Sequence, residues 1–220
     1  PMLHDKHNIY EIDINHGYDI ADKRTIKKIG KFDVIIHLAA KNFVPESYKH
    51  SLRYYYVNIN STLNVLELCK IFNARIIYVS SYVYGNPDYL PIDEKHPVKP
   101  FNPYSQSRII SEDLVTAYKR DFNIDGIILR PFNIYGHNQN PEFLIPSIIN
   151  QLKNGTINLK DPRPKRDFLY VADFCELITK CIDYDKKGVD IFNVGSGISY
   201  SIAEIVELLE KLIGHEKFEI

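Results

Sequence analysis

The sequence lacks the features that mark several large classes of protein. Among 220 residues, Lys and Arg total 27 and Asp and Glu total 28, and this balance gives no electrostatic reason to expect a nucleic acid or an anionic membrane as a partner. No apolar run approaches the roughly 18 to 20 residues that span a bilayer. Residues 1–14 contain no apolar segment of the secretory type. These absences predict a soluble, cytoplasmic protein.

Cysteine is also scarce. The three cysteines, Cys69, Cys175 and Cys181, are odd in number and do not have the spacing of a zinc site. Neither a disulfide framework nor a metal centre is therefore predicted. We expect reduced thiols, which usually pack as small apolar side chains when they are buried.

A glycine-rich turn is missing too. A doubly wound nucleotide-binding fold usually opens with a strand, a G-x-G-x-x-G turn and a helix whose N-terminus holds a pyrophosphate. The ten glycines of this chain form no such motif, and their densest cluster, Gly195-Ser196-Gly197, lies far downstream. We therefore expect that the first strand and its turn are absent from the sequence given, which would then be part of a longer protein.

Apolar and amphipathic segments alternate along the chain, which predicts parallel strands joined by helices. Strands are expected at residues 32–38, 75–80, 126–130, 157–159 and 191–194, and helices at 47–72, 104–118, 143–152, 171–182 and 202–212. The predicted fold is α/β, with a doubly wound, Rossmann-like parallel sheet over residues 1–130. Residues 131–220 are expected to add further core elements and a small C-terminal lobe that binds the substrate.

The strongest chemical signal joins a serine at a strand end to a tyrosine on a helix. Ser80 follows an apolar strand, and Tyr104 and Arg108 stand four residues apart on a helix that Asn102 and Pro103 begin. Sheets of this class bind ligands at the carboxyl ends of their strands. A tyrosine has an ordinary pKa of about 10, but a fixed cation nearby favours the phenolate and makes it usable as a general base. Tyrosine and cation pairs are common on solvated helices, so the combination with the serine carries the prediction.

Seven short motifs occur in the order of one known family and extend over almost the whole chain. They are Asp13-Ile14, His37-Leu38-Ala39-Ala40, Ser80 to Gly85, Asn102 to Arg108, Leu129 to Gly136, Arg166 to Asp173 and Phe192 to Gly197. In these motifs the chain resembles the extended short-chain dehydrogenase/reductase family, which includes the NAD-dependent epimerases and dehydratases of nucleotide sugars. The resemblance is to the members of the UDP-glucose 4-epimerase type.

This resemblance implies NAD as the cofactor and a nucleotide sugar as the substrate. The implied catalytic residues are Ser80, Tyr104 and Arg108. The residues at cofactor positions are Asp13 and Ile14 at the adenine, Leu38, Ala39 and Ala40 along the dinucleotide, Asn58 near the cofactor, Pro131 at the nicotinamide, and Tyr104 and Arg108. The residues at substrate positions are Ser80, Ser81, Tyr104, Asn133 and Arg166, of which the last two would hold the diphosphate. A forked guanidinium suits phosphate oxygens.

The chain departs from the family pattern at one catalytic position. The family has Tyr-x-x-x-Lys, whereas this chain has Arg108 at the position of the lysine. Arginine keeps the positive charge, but its planar fork is larger and it cannot release a proton. We therefore expect a retuned site rather than an inactive one.

The residues after Ser80 indicate which reaction of the family is expected. In dehydratase relatives the positions of Ser81 and Tyr82 often hold an Asp-Glu pair or include a Glu, whose carboxyl groups act as acid and base. The resemblance therefore implies 4-epimerisation, in which a UDP-hexose is oxidised at C4 with Tyr104 as the base and the hydride returns to the opposite face. The alternatives are a nucleotide-ketosugar reductase or dehydrogenase, and a non-catalytic nucleotide-binding sensor. The resemblance also implies a homodimer, joined through the helices that match residues 47–72 and 104–118.

Overall fold

A computed structural model describes residues 6–26 and 29–213 of the chain. The elements of the first part are α1 (Lys23–Ile26), β1 (Val34–His37), α2 (Val44–Lys49), α3 (Ser51–Phe72), β2 (Arg75–Val79), α4 (Pro103–Phe122) and β3 (Gly126–Pro131). The elements that follow are β4 (Asn133–Tyr135), α5 (Leu144–Lys153), β5 (Lys165–Tyr170), α6 (Val171–Ile182), β6 (Val189–Val194), β7 (Ser199–Ser201) and α7 (Ile202–Ile213).

Two sheets organise the described residues. The larger has the order β1-β2-β3-β6, and β2 is parallel to both of its neighbours. The smaller has the order β4-β5-β7, in which β5 is parallel to β4 and antiparallel to β7. The described residues form two compact units, one of the residues up to Pro131 with Leu177–Asn193, and one of Phe132–Glu176 with the residues from Val194 onward.

The core of the first unit explains why its strands were recognisable in the sequence. Ile76 and Ile77 of β2 and Ile128 and Leu129 of β3 are completely buried, as expected for parallel strands that helices cover. Helix α3 contributes Leu66, Leu68 and Cys69 to the buried apolar residues. The parallel sheet with flanking helices is the Rossmann-like α/β fold that the alternating pattern predicts.

Helix α4 begins where the sequence indicates. The side-chain oxygen of Asn102 accepts a hydrogen bond from the backbone N–H of Ser105 at 2.8 Å. The Ser105 hydroxyl accepts one from the backbone N–H of Asn102 at 3.3 Å. These two bonds satisfy amide groups that the helix itself leaves without partners, and Pro103 occupies the first turn. The helix ends at Phe122, later than the predicted end at residue 118, because Asn123 takes the left-handed conformation.

Three predictions about local structure are wrong. The expected strand at 157–159 is irregular, because Ile157 and Leu159 pack beside a cluster of helical side chains instead of pairing with a strand. The expected helix at 47–72 is interrupted at His50, whose backbone is not helical, and is therefore two helices, α2 and α3. The helical spacing of residues 47–72 also predicts that Ile71 faces inward, but this side chain is 62% exposed. The strands β4, β5 and β7 were not predicted.

The three cysteines differ in their exposure to solvent. Cys69 and Cys181 are buried and Cys175 is exposed, and burial raises the pKa of the Cys69 thiol to about 12. Over the ranges 6–26 and 29–213, no helix combines the length and the apolar character that crossing a bilayer requires.

Candidate active site

The carboxyl ends of three neighbouring parallel strands lie at one edge of the larger sheet. Leu38 and Ala39 follow β1, Ser80 and Ser81 follow β2, and Pro131 is the last residue of β3. Leu38 is 60% exposed although it is apolar, and Ala39 beside it is exposed too. Ligands of open α/β sheets bind at this edge. The strand topology therefore brings these predicted residues to the same side of the sheet.

Tyr104 lies in the first turn of α4 and is half-buried. Among the residues that the structure describes, no hydrogen bond engages its phenol group. The hydroxyl group of Tyr104 is therefore available to a ligand. The capping bonds between Asn102 and Ser105 fix the helical turn from which this side chain projects.

Arg108 is almost completely buried, which the sequence did not lead us to expect. Its guanidinium carbon lies 4.6 Å from the centre of the Tyr78 ring, and its Nη2 donates a hydrogen bond to the Val79 carbonyl. Within the described part of the chain, Nε and Nη1 are buried without a hydrogen-bond partner. Burial and the positive charge of Arg108 together lower the pKa of His37 to about 3.

Asn58 joins the segment after β1 to helix α4. Its side-chain oxygen accepts a hydrogen bond from the Lys41 amide at 2.8 Å, and its nitrogen donates to the Lys41 carbonyl at 3.1 Å and to the Ser107 hydroxyl at 2.8 Å. Asn58 is fully buried, so both ends of its amide group are engaged by the protein. Its place near the cofactor stays a prediction, and the contacts show that it holds the segment that contains Ala39 and Ala40.

A buried polar network behind Ser80 was missed in the sequence. The Ser80 hydroxyl donates a hydrogen bond to Glu112 at 2.5 Å, and Glu112 forms an ion pair with Arg130 at 2.6 Å. Arg130 also donates to the Tyr84 hydroxyl at 2.9 Å, which donates to Asn193 at 2.5 Å. Burial opposes the charge of Arg130, but the hydrogen bond and the charge of Glu112 raise its pKa above the ordinary value. The one available signal was the position of Glu112, four residues after Arg108 on the same helix.

The second unit holds the two residues predicted to bind a diphosphate. Asn133 lies on β4 and donates a hydrogen bond to the Asp167 carbonyl of β5 at 2.9 Å. Arg166 lies next to Asp167 in β5, and its side chain is exposed. The Asp167 carboxylate accepts hydrogen bonds from the amides of Ser196 and Gly197, both at 2.8 Å. The strand pairing thus brings Asn133 close to the segment that carries Arg166.

The predicted adenine position has a defined local geometry. Asp13 caps a short 3-10 turn, Ile14–His16, by accepting a hydrogen bond from the Asn15 amide at 2.7 Å. Ile14 is 67% exposed. An exposed apolar side chain beside a fixed carboxylate is compatible with a flat aromatic ring as a ligand.

The residues at the sheet edge fit a dinucleotide such as NAD. Ala39 and Ala40 are small enough for a ligand to approach the backbone after β1, and Leu38 offers an exposed apolar surface. Buried polar groups normally have partners, so the two unpartnered nitrogens of Arg108 are donors that a sugar hydroxyl would complete. In the residues that the structure describes, no group of three or more His, Cys, Asp or Glu side chains is arranged to bind a metal ion.

Comparison with known proteins agrees with this geometry. Residues 2–195 match the model of the NAD dependent epimerase/dehydratase family. The chain is 31% identical to a UDP-glucose 4-epimerase of Caenorhabditis elegans over 229 residues, which covers 90% of the chain and 66% of that protein. It spans about half to two thirds of the length of the curated relatives it matches.

Solved structures show the same fold. One is the structure of UDP-glucose 4-epimerase from Bifidobacterium longum with NAD+ and UDP, which is 30% identical in sequence. The match covers 90% of the present chain and 67% of that protein, with a TM-score of 0.80. Another is the structure of RMD from Pseudomonas aeruginosa with NADPH, which is also 30% identical. That match covers 98% of the present chain and 79% of RMD, with a TM-score of 0.86. Motifs, fold and matched residues agree, and the chain belongs to the NAD dependent epimerase/dehydratase family.

Proposed function

We propose that the protein is an NAD-dependent 4-epimerase of a nucleotide sugar, with a UDP-hexose as the substrate. The observation that carries this proposal is the placement of Ser80 at the carboxyl end of β2 and of Tyr104 in the first turn of α4. Relatives that are named UDP-glucose and UDP-arabinose 4-epimerases support it.

The proposed mechanism assigns a task to each group of the chain. Bound NAD supplies the chemistry of removing a hydride from the sugar and returning it. Tyr104 takes the proton of the sugar hydroxyl and gives it back, while Ser80 shares that proton through a hydrogen bond. Arg108 supplies a buried positive charge one helical turn after Tyr104 on α4. Asn133 and Arg166 hold the diphosphate and so orient the sugar.

The residues after Ser80 support epimerisation over dehydration. Neither Ser81 nor Tyr82 carries a carboxyl group. The Tyr82 hydroxyl donates a hydrogen bond to the Gly85 carbonyl at 2.6 Å, which engages it within its own loop. Epimerisation at C4 needs only one acid–base residue, Tyr104.

A ketosugar reductase is the second candidate, because the neighbour from Pseudomonas aeruginosa holds NADPH. Such an enzyme would use Ser80 and Tyr104 in one direction and then exchange its cofactor. A nucleotide sensor without turnover is the third, suggested by the burial of Arg108.

The location and the assembly are part of the same proposal. We propose a cytoplasmic protein, because its few cysteines indicate a reducing compartment. We also propose a homodimer that forms through α3 and α4. Leu52 and Tyr56, one helical turn apart on α3, are 82% and 59% exposed, and exposed apolar residues of this kind are typical of subunit contacts.

The test measures NAD in the protein purified with its natural N-terminus. The cofactor released by denaturation is quantified per chain. An epimerase regenerates its cofactor in each turnover, so we expect close to one tightly held NAD per chain. Protein that is purified empty but binds NAD(P)H reversibly would favour the reductase. Protein that binds neither form would refute the enzyme and favour the sensor.

Replacing Tyr104 tests the catalytic assignment in the same preparation. Tyr104→Phe is expected to lower kcat by about 10²-fold or more, the contribution of a general acid–base group, and to leave the NAD content unchanged. The control is Tyr89→Phe, which removes an exposed phenol that donates to Asp93. Equal kcat values for Tyr104→Phe and the wild type would contradict the assignment.

A further inference from the structure

Glu112 is a carboxylate in an unusual place. It lies on α4, is 4% exposed, and faces Arg130, which is 5% exposed. Two nitrogens of the guanidinium donate to the carboxylate. The Nε of Arg130 lies 3.1 Å from both oxygens of Glu112, and its Nη2 lies 2.6 Å from Oε2. A buried ion pair often contributes little net stability, because removing two charges from water offsets their attraction. Stability alone therefore does not explain this pair.

The hydrogen bonds of Ser80 give the pair a second task. A serine hydroxyl has one hydrogen to donate and two lone pairs that accept. The Ser80 hydrogen is directed to Oε1 of Glu112, at an oxygen–oxygen distance of 2.5 Å. A carboxylate that faces a guanidinium can only accept hydrogen bonds. The direction of this bond is therefore fixed, and the Ser80 oxygen offers only lone pairs to a ligand.

We propose that Glu112 is a positioning residue that holds Ser80 as a hydrogen-bond acceptor in the reaction. This inference rests on the proposed function, in which Ser80 and Tyr104 share the proton of a sugar hydroxyl. With its own hydrogen held by Glu112, Ser80 accepts a bond from whichever of the sugar and Tyr104 carries that proton. Arg130 keeps the Glu112 carboxylate in place, and Tyr84 and the half-buried Asn193 extend the same network of hydrogen bonds.

The spacing along α4 makes one helix responsible for both groups of the proposed reaction. Tyr104 and Glu112 stand eight residues apart, which separates them by about 12 Å along the helix axis and about 80° around it, so they project from the same side of the helix. Tyr104 meets the substrate from the first turn, and Glu112 reaches Ser80 from deeper in the fold. The helix can therefore set the position of Tyr104 and the orientation of Ser80 together.

The first variant is Glu112→Asp. It keeps the charge beside Arg130 but withdraws the carboxylate by one methylene from Ser80. We expect kcat for UDP-glucose epimerisation to fall about tenfold, the loss of one hydrogen bond of ordinary strength, with KM and NAD content unchanged. The matched control is Asp125→Asn, which alters an ion pair with Lys119 at the amino end of β3 and is expected to keep the wild-type kcat.

A double-mutant cycle with Ser80→Ala decides whether Glu112 acts through Ser80. If it does, Glu112→Asp lowers kcat in the wild type but not in the Ser80→Ala variant. Equal losses in both backgrounds would overturn the proposal, since Glu112 would then act on packing alone. Full activity of Glu112→Asp would also overturn it. Full activity of Ser80→Ala alone would instead contradict the proposed function.

A second variant, with two substitutions, tests whether a loss of kcat comes from misfolding of the protein. Glu112→Leu with Arg130→Met replaces both charges at once, so neither is left buried without a partner. We expect this variant to bind NAD, to keep its far-UV circular dichroism and to show the same tenfold loss of kcat. A wild-type kcat in the folded double variant would refute a positioning role.

Discussion

His37 is expected to make the stability of the protein depend on pH. This last residue of β1 is 3% exposed, and its Nε2 lies 3.1 Å from the Thr62 hydroxyl. The Thr62 hydroxyl donates its hydrogen to the Asn58 carbonyl, so it accepts from His37, and the ring must carry its hydrogen on Nε2. Burial, and then the charge of Arg108, lower the pKa of His37 from 6.5 to about 3. The folded protein therefore holds this side chain neutral.

The size of the effect follows from proton linkage. Between pH 6.5 and about 3, the unfolded chain binds a proton at His37 and the folded chain does not, so the folded state loses stability as the pH falls through this window. Lowering the pH from 7 to 5 is expected to reduce the free energy of unfolding by about 2 kcal/mol through this one group. The same loss of about 2 kcal/mol is expected for any pKa of His37 in the folded protein that lies well below 5.

The variant His37→Gln separates this contribution from that of other groups. Glutamine keeps a nitrogen that can donate to Thr62 but does not titrate. Urea unfolding, followed by far-UV circular dichroism at pH 7, 6 and 5, gives the free energy of unfolding for both proteins. We expect the wild type to lose about 2 kcal/mol more than His37→Gln between pH 7 and 5. Equal losses in the two proteins would refute a neutral, buried His37.

Two further predictions concern Arg108 and the proposed dimer. Arg108→Lys keeps the positive charge and restores the Tyr-x-x-x-Lys pattern of the family; we expect a severalfold higher kcat, and a fall in kcat would show that the guanidinium is needed. Leu52→Glu places a charge on the exposed face of α3, so light scattering is expected to show monomers, whereas Leu90→Glu, at another exposed leucine, should stay dimeric. If the Leu52→Glu protein is still a dimer, the exposed face of α3 at Leu52 is not the contact between the subunits.

The sequence predicts best those elements whose character is local. Strands β2 and β3 contain continuous apolar runs, Ile76 to Val79 and Ile127 to Leu129, whose side chains are mostly buried, which is the pattern of central parallel strands. Strands β4 and β7 have three residues each, too few to show a period. Strand β5 begins with Lys165 and Arg166, both exposed, and is defined by its pairing with β4 and β7. Pairing between distant segments leaves no local pattern to read.

The same distinction applies to the site. Ser80 and Tyr104 were found because each follows a local signal, a strand end and a helix start. The buried pair of Glu112 and Arg130 was missed, because a charged residue on a helix or strand usually indicates a solvated face. Asn58 was expected near a ligand, and its bonds to Lys41 and Ser107 depend on contacts that only the fold creates.

The arrangement of α4 limits how this part of the chain can change over time. Tyr104, Arg108 and Glu112 follow one another at intervals of four residues, and each meets a different part of the fold. Inserting or deleting one residue between them would turn everything beyond that point by about 100° and shift it by about 1.5 Å. The exchange of one side chain for another, such as arginine at position 108, is tolerable there. The number of residues between Tyr104 and Glu112 is not free to vary.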